Sequence, residues 1–571
     1  MNVDEEALRR IAGQARERLA ELLDQPGAAD RVAAALDAAL ARPSGPLAQL
    51  ALQRALRADP GLERWARSAI RTAESRLRAE PGAAPPARYL TTSLPARARG
   101  GRRLALHAAI TLDGGPGSVP TRPFPIPPPG VDVLLSVASE TLEIESDAVQ
   151  RVRVLPDADS DTVLFELSAP TPGRHEVRVR AFLAGGGGEL SAVVRTVEID
   201  PAGTTDRPRT VTARLDHLAA GPDMVTVQID RTVSGLVCRL IGTDGPAALA
   251  EPIPRALIRD ILRDAHQMAS GESAFTPPNA RRRLADWGTT LWGLLPPPVR
   301  SEVTARLKAT TVSALTLCTD VSTLPWELLT DPAGDGFLVD RVPLVRQTGT
   351  RPLSRSLALI DPVFVLGSNP PIGADREISR LHELLFDSPS ALPTTDSAAT
   401  LAAPVGVPEG IADQRSLISR IDAGDFNLLH LACHQANPEG GQPGGVLMTD
   451  GRFEPVSLAR AAATGSLARR CPLVFFNACG SVDGGSYDTL MGGWAEQFLR
   501  AGAGAFIGSS WAVKSPAARR FALAFYREFA AGVPLGTASM TARGALSSNN
   551  ADPTRLAYAI YGDPVAVASR P

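Results

Sequence analysis

Two short apolar runs in the C-terminal half of the chain each end on a reactive side chain. The first run, 426–434, ends on His434, and the second, 472–479, ends on Cys479, which Gly480 follows. Runs this short and this apolar are typical of strands that are buried on both faces of a parallel sheet. The carboxyl ends of parallel strands share one edge of the sheet, where α/β proteins build their sites. The sequence therefore predicts a thiol and an imidazole at corresponding strand ends.

A thiol beside an imidazole is the pair of groups that a cysteine hydrolase needs. The imidazole helps to deprotonate the thiol and later protonates the leaving amine. Backbone N–H groups beside the nucleophile and the base commonly stabilise the oxyanion of acyl transfer, and Gly480 leaves room for a substrate to approach closely. A lone cysteine or histidine at a strand end is more often a core residue. From the residues alone, a catalytic pair and two core residues both remain open.

The other sequence features exclude several classes of protein. Five cysteines in 571 residues do not form a disulfide framework, and none has zinc-ligand spacing, so we expect no metal, no cofactor and a reduced, cytoplasmic chain. The first residues lack the order of a signal peptide, and no run approaches the length of a membrane span, so we expect no membrane segment. A net charge of −2 gives no global field that would favour nucleic acid.

Hydrophobic periodicity divides the N-terminal part into two regions. In residues 1–85 apolar residues recur at spacings of three and four, which predicts an all-α helical bundle. Residues 88–200 alternate apolar and polar positions between Gly- and Pro-rich turns, which predicts an Ig-like antiparallel β-sandwich. Neither region carries recognisable chemistry. We expect residues 1–200 to bind a regulatory protein partner; the alternatives are a structural cap over 1–85 and an adhesion or spacer domain over 88–200. Residues 201–206 are expected to be a linker.

The remaining chain changes its pattern again. Residues 210–345 mix strands with a helix, and over residues 356–568 strand and helix patterns alternate. Such alternation is typical of a mostly parallel α/β sheet. The sequence therefore predicts a multidomain protein with an N-terminal all-α bundle, a β-sandwich and a C-terminal α/β unit.

Five phrases in this C-terminal part resemble the motifs of the CHAT family of caspase-like peptidases. The His434 and Cys479 runs resemble its two catalytic motifs, and Asn-Ala-Cys-Gly is close to the caspase nucleophile signature, whose histidine lies about 50 residues upstream. Three more phrases follow the family's order: Leu324-Pro325-Trp326-Glu327-Leu328, Ile507-Gly508-Ser509-Ser510-Trp511 and Tyr561-Gly562-Asp563-Pro564. The resemblance covers roughly residues 250–568. It implies a caspase-like α/β sandwich over 356–568, with 210–345 as the N-terminal part of the CHAT region.

The resemblance also implies roles for individual residues. Cys479 would attack a peptide carbonyl, and His434, rather than His430, would be its base, without an obligatory third member. His430 and Cys433 would be structural. The backbone N–H groups of three residues would form the oxyanion hole: Gln435, Cys479 and Gly480. Four side chains would contact the substrate: Asn477, Ser510, Trp511 and Asp483.

Two positions depart from the family pattern. The family usually has glycine directly after the catalytic histidine, and this chain has Gln435, which keeps the N–H but loses the wide φ range of glycine. Lys514 stands where the family often has an acidic residue, so we expect basic residues before the scissile bond to be disfavoured and acidic or neutral ones to be preferred. The alternative is that Lys514 is a solvated surface residue without a role in specificity. The carboxylates of Asp483 and Asp488 could reverse that preference.

Three functions are compatible with this sequence. The first is a regulated bacterial cysteine endopeptidase of signalling or defence that cleaves a specific protein substrate through a Cys/His dyad. The second is a catalytically inactive caspase-fold scaffold that binds partner proteins, for which Gln435 is the main argument. The third is a hydrolase or transferase of the same fold that acts on another acyl bond.

Overall fold

The structure, a computed structural model, describes most of the chain from residue 86 onward. The described residues are 86–114, 124–215, 224–242, 248–250, 255–270, 277–309, 312–321, 324–332, 336–348, 354–387, 410–436, 445–480, 490–511, 513–546 and 553–569. At 435–436 and 478–480 the description is confined to the backbone. The helical bundle expected over 1–85 lies outside the described residues, and so do Asp483 and Asp488.

Residues 88–215 form two five-stranded sheets that share one apolar core. The strands are β1 (Arg88–Pro95), β2 (Arg97–Arg99), β3 (Leu104–Thr111), β4 (Val131–Ala138), β5 (Glu143–Ile144), β6 (Val149–Val154), β7 (Val163–Ser168), β8 (Gly173–Leu183), β9 (Glu189–Asp200) and β10 (Pro208–Leu215). The sheet orders are β10-β1-β3-β7-β5 and β2-β9-β8-β4-β6. Along β8, Val177 and Val179 are fully buried between the two sheets, whereas Glu176 and Arg178 point away from this core. We call residues 88–215 the two-sheet unit.

The two-sheet unit extends beyond residue 200. Residues 201–206, expected to be a linker, connect β9 to β10, and β10 pairs antiparallel with β1 along its whole length. The first four residues of β10 are exposed, and the strand lacks a buried alternate face. An edge strand of this kind gives no period-two hydrophobic signal, which is why the sequence pattern does not reveal it.

The rest of the described chain forms an α/β unit. Its strands are β11 (Met224–Thr232), β12 (Gly235–Leu240), β13 (Ala248–Ala250), β14 (Ala314–Thr319), β15 (Leu344–Gln347), β16 (Ser356–Ala358), β17 (Pro362–Val365), β18 (Leu428–Ala436), β19 (Gly445–Met448), β20 (Gly451–Phe453), β21 (Leu473–Gly480), β22 (Ala505–Ser509), β23 (Tyr558–Tyr561) and β24 (Val567–Ser569). Its helices are α1 (Arg255–Ser270), α2 (Pro277–Leu294), α3 (Pro297–Ala309), α4 (Ala374–His382), α5 (Gln414–Ala423), α6 (Ala459–Thr464), α7 (Leu490–Ala501), α8 (Ser515–Ala530), α9 (Leu535–Gly544) and α10 (Thr554–Ala557).

Twelve of these strands form one sheet with two halves of opposite direction. The order is β13-β12-β11-β14-β15-β23-β22-β21-β18-β19-β20, and β17 also pairs with β18. Strands β17, β18, β21 and β22 are parallel to one another, and so are β11, β14, β15 and β23. The halves meet where β22 pairs antiparallel with β23. The carboxyl ends of β17, β18, β21 and β22 therefore lie along one edge, as the strand–helix alternation predicts.

Helices cover both faces of this sheet, and the pleat of β21 shows how. Phe475 packs in the core beneath α4 and α8, whereas Phe476, the next residue, packs in the opposite core with Trp494 of α7. Successive residues of a strand point to opposite faces, so a continuous apolar run fills both cores. Burial of each such aromatic side chain contributes roughly 2–3 kcal/mol to folding. Among the described helices, none has the length and apolar character needed to cross a membrane.

Buried charges join the two-sheet unit to the α/β unit. Arg180 of β8 is 1% exposed; its Nη1 lies 2.9 Å from Asp230 Oδ1 of β11, and its Nε lies 3.3 Å from Glu189 Oε2 of β9. The same guanidinium donates to the carbonyl oxygen of Cys318 at 3.2 Å. The backbone N–H of Glu189 donates to Gln347 Oε1 at 2.8 Å. Burial raises the pKa of Glu189 to about 7, although the positive charge of Arg180 opposes this rise.

Candidate functional site

The structure places His434 and Cys479 opposite each other on neighbouring strands. In the parallel pair β18 and β21, His434 is in register with Cys479, and Gln435 with Gly480. Neighbouring strands lie about 4.8 Å apart. Both strands end within two residues of this level, at the sheet edge that carries the other parallel carboxyl ends. The backbone thus brings the two predicted residues together.

The face on which this pair lies follows from the residues before it. His430 and Ala432 of β18 pack on the side of α4 and α8, and His434 is the next residue of that alternation. His434 is half-buried, as a base that must meet both a neighbour and a substrate would be. Cys433, between them, is fully buried in the opposite core and donates to the carbonyl of Val365 at 3.3 Å. Cys433 is therefore a core residue, as expected.

Gln435 lies inside β18 rather than in a turn. It pairs with Gly480 on one side and with Val446 of β19 on the other. An extended strand conformation is accessible to any L-residue, so the backbone here does not require the glycine that the family usually carries. Gly480, the last residue of β21, lies directly across from it.

A buried polar network lies beneath the His434–Cys479 pair. His430 is 0% exposed; its Nε2 lies 2.9 Å from Glu377 Oε1 of α4, and its Nδ1 lies 3.3 Å from the hydroxyl of Tyr526 of α8. A consistent assignment has the Tyr526 hydroxyl donating to Nδ1 and the Nε2–H donating to the carboxylate. Burial, and next the charge of Glu377, hold the pKa of Tyr526 well above its ordinary value. With both ring nitrogens engaged, His430 is a structural residue.

Asn477 connects this network to the cysteine strand. Its Nδ2 donates to Glu377 Oε1 at 2.7 Å, and its Oδ1 accepts from the hydroxyl of Tyr558 at 2.8 Å. Asn477 lies two residues before Cys479 and is 3% exposed. The carboxylate of Glu377 therefore binds one side chain from each of the two strands that carry the pair, which fixes β18 and β21 against α4.

Glu377, Tyr526 and Tyr558 did not emerge from the sequence motifs. A signal for Glu377 does exist: Ala374, Glu377, Ile378 and Leu381 recur at i, i+3, i+4 and i+7 and form the buried face of α4. A carboxylate in an apolar stripe needs buried partners, so its position alone indicates a polar network. The two tyrosines give no such signal, because their surroundings are largely aromatic and apolar.

A small hollow opens beside the pair, on the same face of the sheet. Residues 371–374, Glu377, Ala432, Asn477, Ser515 and Ala518 line it. Its volume is about 10 Å³, the space of roughly one water molecule. Of the expected substrate-contacting residues, Asn477 lines this hollow.

The other expected substrate-contacting residues lie at the next strand or outside the description. Ser510 and Trp511 directly follow β22, which neighbours β21, so they lie one strand beyond Cys479. Ser510 donates its N–H to the carbonyl of Ala557 at 2.7 Å, and Trp511 is 4% exposed within the core under α8. Asp483 lies outside the described residues.

The first and the last of the five motif phrases, 324–328 and 561–564, are connected through Arg346, away from the His434–Cys479 pair. Glu327 is 0% exposed and accepts from Arg346 Nε at 3.0 Å, while Arg346 Nη1 donates to the hydroxyl of Tyr561 at 3.1 Å. Asp563 accepts from Arg355 Nε, also at 3.0 Å. These motif residues are structural and stabilise the junction of β15 and β23. Within the described residues, no group of three or more His, Cys, Asp or Glu side chains could hold a metal ion.

The fold and the strand-end pair define an α/β protein with histidine and cysteine at adjacent parallel strand ends. Residues 285–561 match the family model of the CHAT domain. This match over residues 285–561 confirms the resemblance that the sequence motifs indicate. A comparison with curated proteins found no match to this chain.

Solved structures similar to this chain include a separase–securin complex and the cysteine proteinase gingipain R. The separase–securin complex of Saccharomyces cerevisiae is 15% identical, with a TM-score of 0.28, over 48% of this chain and 17% of that chain. The Arg-specific cysteine proteinase gingipain R is 11% identical, with a TM-score of 0.29, over 55% of this chain and 76% of that chain. A complex of the pro- and mature domains of RgpB from Porphyromonas gingivalis is also 11% identical, with a TM-score of 0.30, over 55% and 78%. The match thus spans less than a fifth of the separase chain.

Proposed function

We propose that this protein is a cysteine endopeptidase that uses Cys479 as nucleophile and His434 as base. The observation that carries the proposal is the register of β18 and β21, which pairs His434 with Cys479 at the carboxyl edge of the sheet. The CHAT domain match over 285–561 supports the same class. The buried network below the pair supports it further, because it holds both strands at a fixed spacing.

The proposed reaction is acyl transfer in two steps. His434 takes the thiol proton of Cys479, and the sulfur adds to the peptide carbonyl carbon. Backbone N–H groups of Gln435, Cys479 and Gly480 stabilise the oxyanion. The C–N bond then breaks, the amine leaves with the proton from His434, and a thioester remains. A water molecule gives a proton to His434 and adds to the thioester; the C–S bond breaks to release the carboxylic acid, and the Cys479 sulfur takes the proton back from His434.

The wider organisation belongs to the same proposal. We propose a helical domain over 1–85, an Ig-like β-sandwich within the two-sheet unit, an N-terminal part of the CHAT region over 210–345 and the catalytic domain over 356–568. The substrate is a specific protein, and the setting is a bacterial cytoplasm in signalling or defence. The first 200 residues bind a regulatory protein. The buried contacts of Arg180 support this role, because they connect the two-sheet unit directly to the α/β unit.

A scaffold without activity is the second candidate function. One observation favours it: Gln435 lies between a strand on each side, whereas an oxyanion needs a backbone N–H that faces an open cleft. Such a protein would keep the fold and bind partner proteins through the same edge.

Labelling with an electrophilic peptide probe separates the two functions. We expect the wild-type protein to form one adduct at position 479, and Cys479→Ala to form none. Cys471→Ala is the matched control, because Cys471 precedes the other end of the same strand and its replacement leaves the pair intact. His434→Ala should slow the labelling. Wild-type protein that stays unlabelled when cell extract supplies its partners would favour the scaffold.

A further inference from the structure

We propose that the hollow beside the pair is the subsite for the residue that precedes the scissile bond, the P1 residue, and that it accepts only glycine, alanine or serine. The inference rests on the proposed peptidase function and names its substrate class. It narrows the expectation of a non-basic P1 residue to small and uncharged side chains.

The position of the hollow makes it the P1 subsite. Two of its walls are Ala432 and Asn477, which lie two residues before His434 and Cys479 on the same two strands. Two residues along a strand correspond to about 7 Å. A carbonyl carbon held at the Cys479 level therefore directs the side chain of its own residue toward this hollow.

The size of the hollow sets the limit on that side chain. Its volume of about 10 Å³ is enough for one water or one methyl-sized group. Tight packing opposes any outward movement of the walls, because Ala432 and Ala518 are 2% and 1% exposed and lie in the core. Ala432 and Ala518 already have the smallest side chain after glycine, so no further truncation of these walls is present that would enlarge the hollow. A P1 arginine or aspartate would require these packed elements to move apart.

The polar groups at the base of the hollow do not favour a charged P1 residue. Glu377 Oε1 already accepts from Asn477, and it lies within hydrogen-bond distance of His430. Asn477 in turn accepts from Tyr558. The guanidinium of Arg519 lies against Gly373 at the rim, since a Cβ at that glycine would be 2.6 Å from Arg519 Nη1. A basic P1 side chain would meet an occupied acceptor and a nearby cation.

The rim of the hollow carries one exposed apolar side chain. Ile372 is 95% exposed although it lines the hollow. A P1 side chain longer than that of alanine or serine would extend out of the hollow toward this rim residue. Because Ile372 is exposed, its truncation leaves the folded core unchanged.

A P1 series of otherwise identical peptides tests the proposal. The peptides carry glycine, alanine, serine, valine, aspartate or arginine at P1, and kcat/KM is measured for each with the full chain. We expect kcat/KM for the glycine, alanine and serine peptides to exceed kcat/KM for the other three at least tenfold. Even one extra methylene group changes the ratio of kcat/KM between two substrates by about 10- to 200-fold. Arginine or aspartate as the best residue would overturn the proposal.

Two variants examine the hollow itself. Ala518→Val fills it, so cleavage after alanine should fall at least tenfold relative to cleavage after glycine. The second variant is Ile372→Ala, which should fold normally because the Ile372 side chain is exposed. In this variant the ratio of kcat/KM for the alanine peptide to kcat/KM for the valine peptide should fall about fivefold or more. Val456→Ala is its matched control, an exposed apolar residue between Phe453 and Leu458, which pack in the opposite core. Equal ratios in Ile372→Ala, Val456→Ala and wild type would contradict the proposal.

A separate readout distinguishes failure of the subsite from failure of the function. Iodoacetamide has no P1 group, so it reports the thiol alone. Labelling of Cys479 by iodoacetamide, combined with a P1 profile dominated by large residues, overturns the subsite and leaves the peptidase. If neither iodoacetamide nor any peptide in the series reacts at Cys479, both the proposed function and the subsite fail.

Discussion

Replacement of Glu377 by alanine should destabilise the α/β unit by about 4 kcal/mol. The carboxylate is 5% exposed and lies within hydrogen-bond distance of Asn477 Nδ2 and His430 Nε2, at 2.7 and 2.9 Å. Its removal leaves two buried donors without an acceptor, and each unsatisfied group costs about 1–3 kcal/mol. Loss of side-chain volume next to Ala432 adds a smaller cavity cost.

Urea denaturation followed by tryptophan fluorescence measures this loss. Trp326, Trp494 and Trp511 are buried in the α/β unit, so their emission reports its unfolding. The midpoint should fall while the slope with urea stays constant, since the surface exposed on unfolding is unchanged. Glu377→Gln, which keeps an acceptor of the same shape, should lose less than half as much.

Asp375→Ala is the matched control on the same helix. Asp375 is exposed in the first turn of α4, where a carboxylate stabilises the helix by about 0.3–1 kcal/mol. Stability of Glu377→Ala equal to that of Asp375→Ala would refute the view that Glu377 holds β18 and β21 together.

Three further predictions concern other buried groups. Glu327→Ala leaves the buried Arg346 guanidinium without its carboxylate partner, so the free energy of unfolding in urea should fall by about 3–5 kcal/mol. A decrease below about 1 kcal/mol would contradict the buried ion pair. Tyr558→Phe removes the donor to Asn477 and should cost about 1–3 kcal/mol by the same assay, whereas an unchanged midpoint would argue against that hydrogen bond. Burial raises the pKa of Glu189 from 4.5 to about 7, so between these pH values the folded chain keeps a proton that the unfolded chain has released. The free energy of unfolding should therefore decrease by about 3 kcal/mol as the pH rises through this window. Glu189→Gln should lose that dependence, and parallel curves for both proteins would disprove the assignment.

The placement of His434 and Cys479 at corresponding strand ends could be predicted from the sequence because it follows from the apolar pattern of each run. Each run is apolar over its length, as strands buried on both faces must be. The strand–helix alternation around them implies parallel neighbours, and parallel neighbours share an edge. The same reasoning assigns Cys433 to the opposite core, where the structure places it.

The network below the pair could not be predicted in the same way, because its members are distant in sequence. Glu377, His430, Asn477 and Tyr526 come from two helices and two strands, and nothing local to any of them encodes the others. The contact between the two-sheet unit and the α/β unit could not be predicted for the same reason. Arg180 meets groups from β9, β11 and β14, so its burial depends on a packing arrangement that no single segment specifies.

The rate at which chloroacetamide alkylates Cys479, compared between wild type and His434→Ala, tests most directly whether the two residues act as a pair. Cys471, which is half-buried, is the internal reference in the same sample. Only the thiolate reacts, and an adjacent imidazole takes the thiol proton. We expect alkylation of Cys479 to slow about tenfold in His434→Ala, with the rate at Cys471 unchanged. Equal rates at Cys479 in both proteins would contradict a catalytic pair.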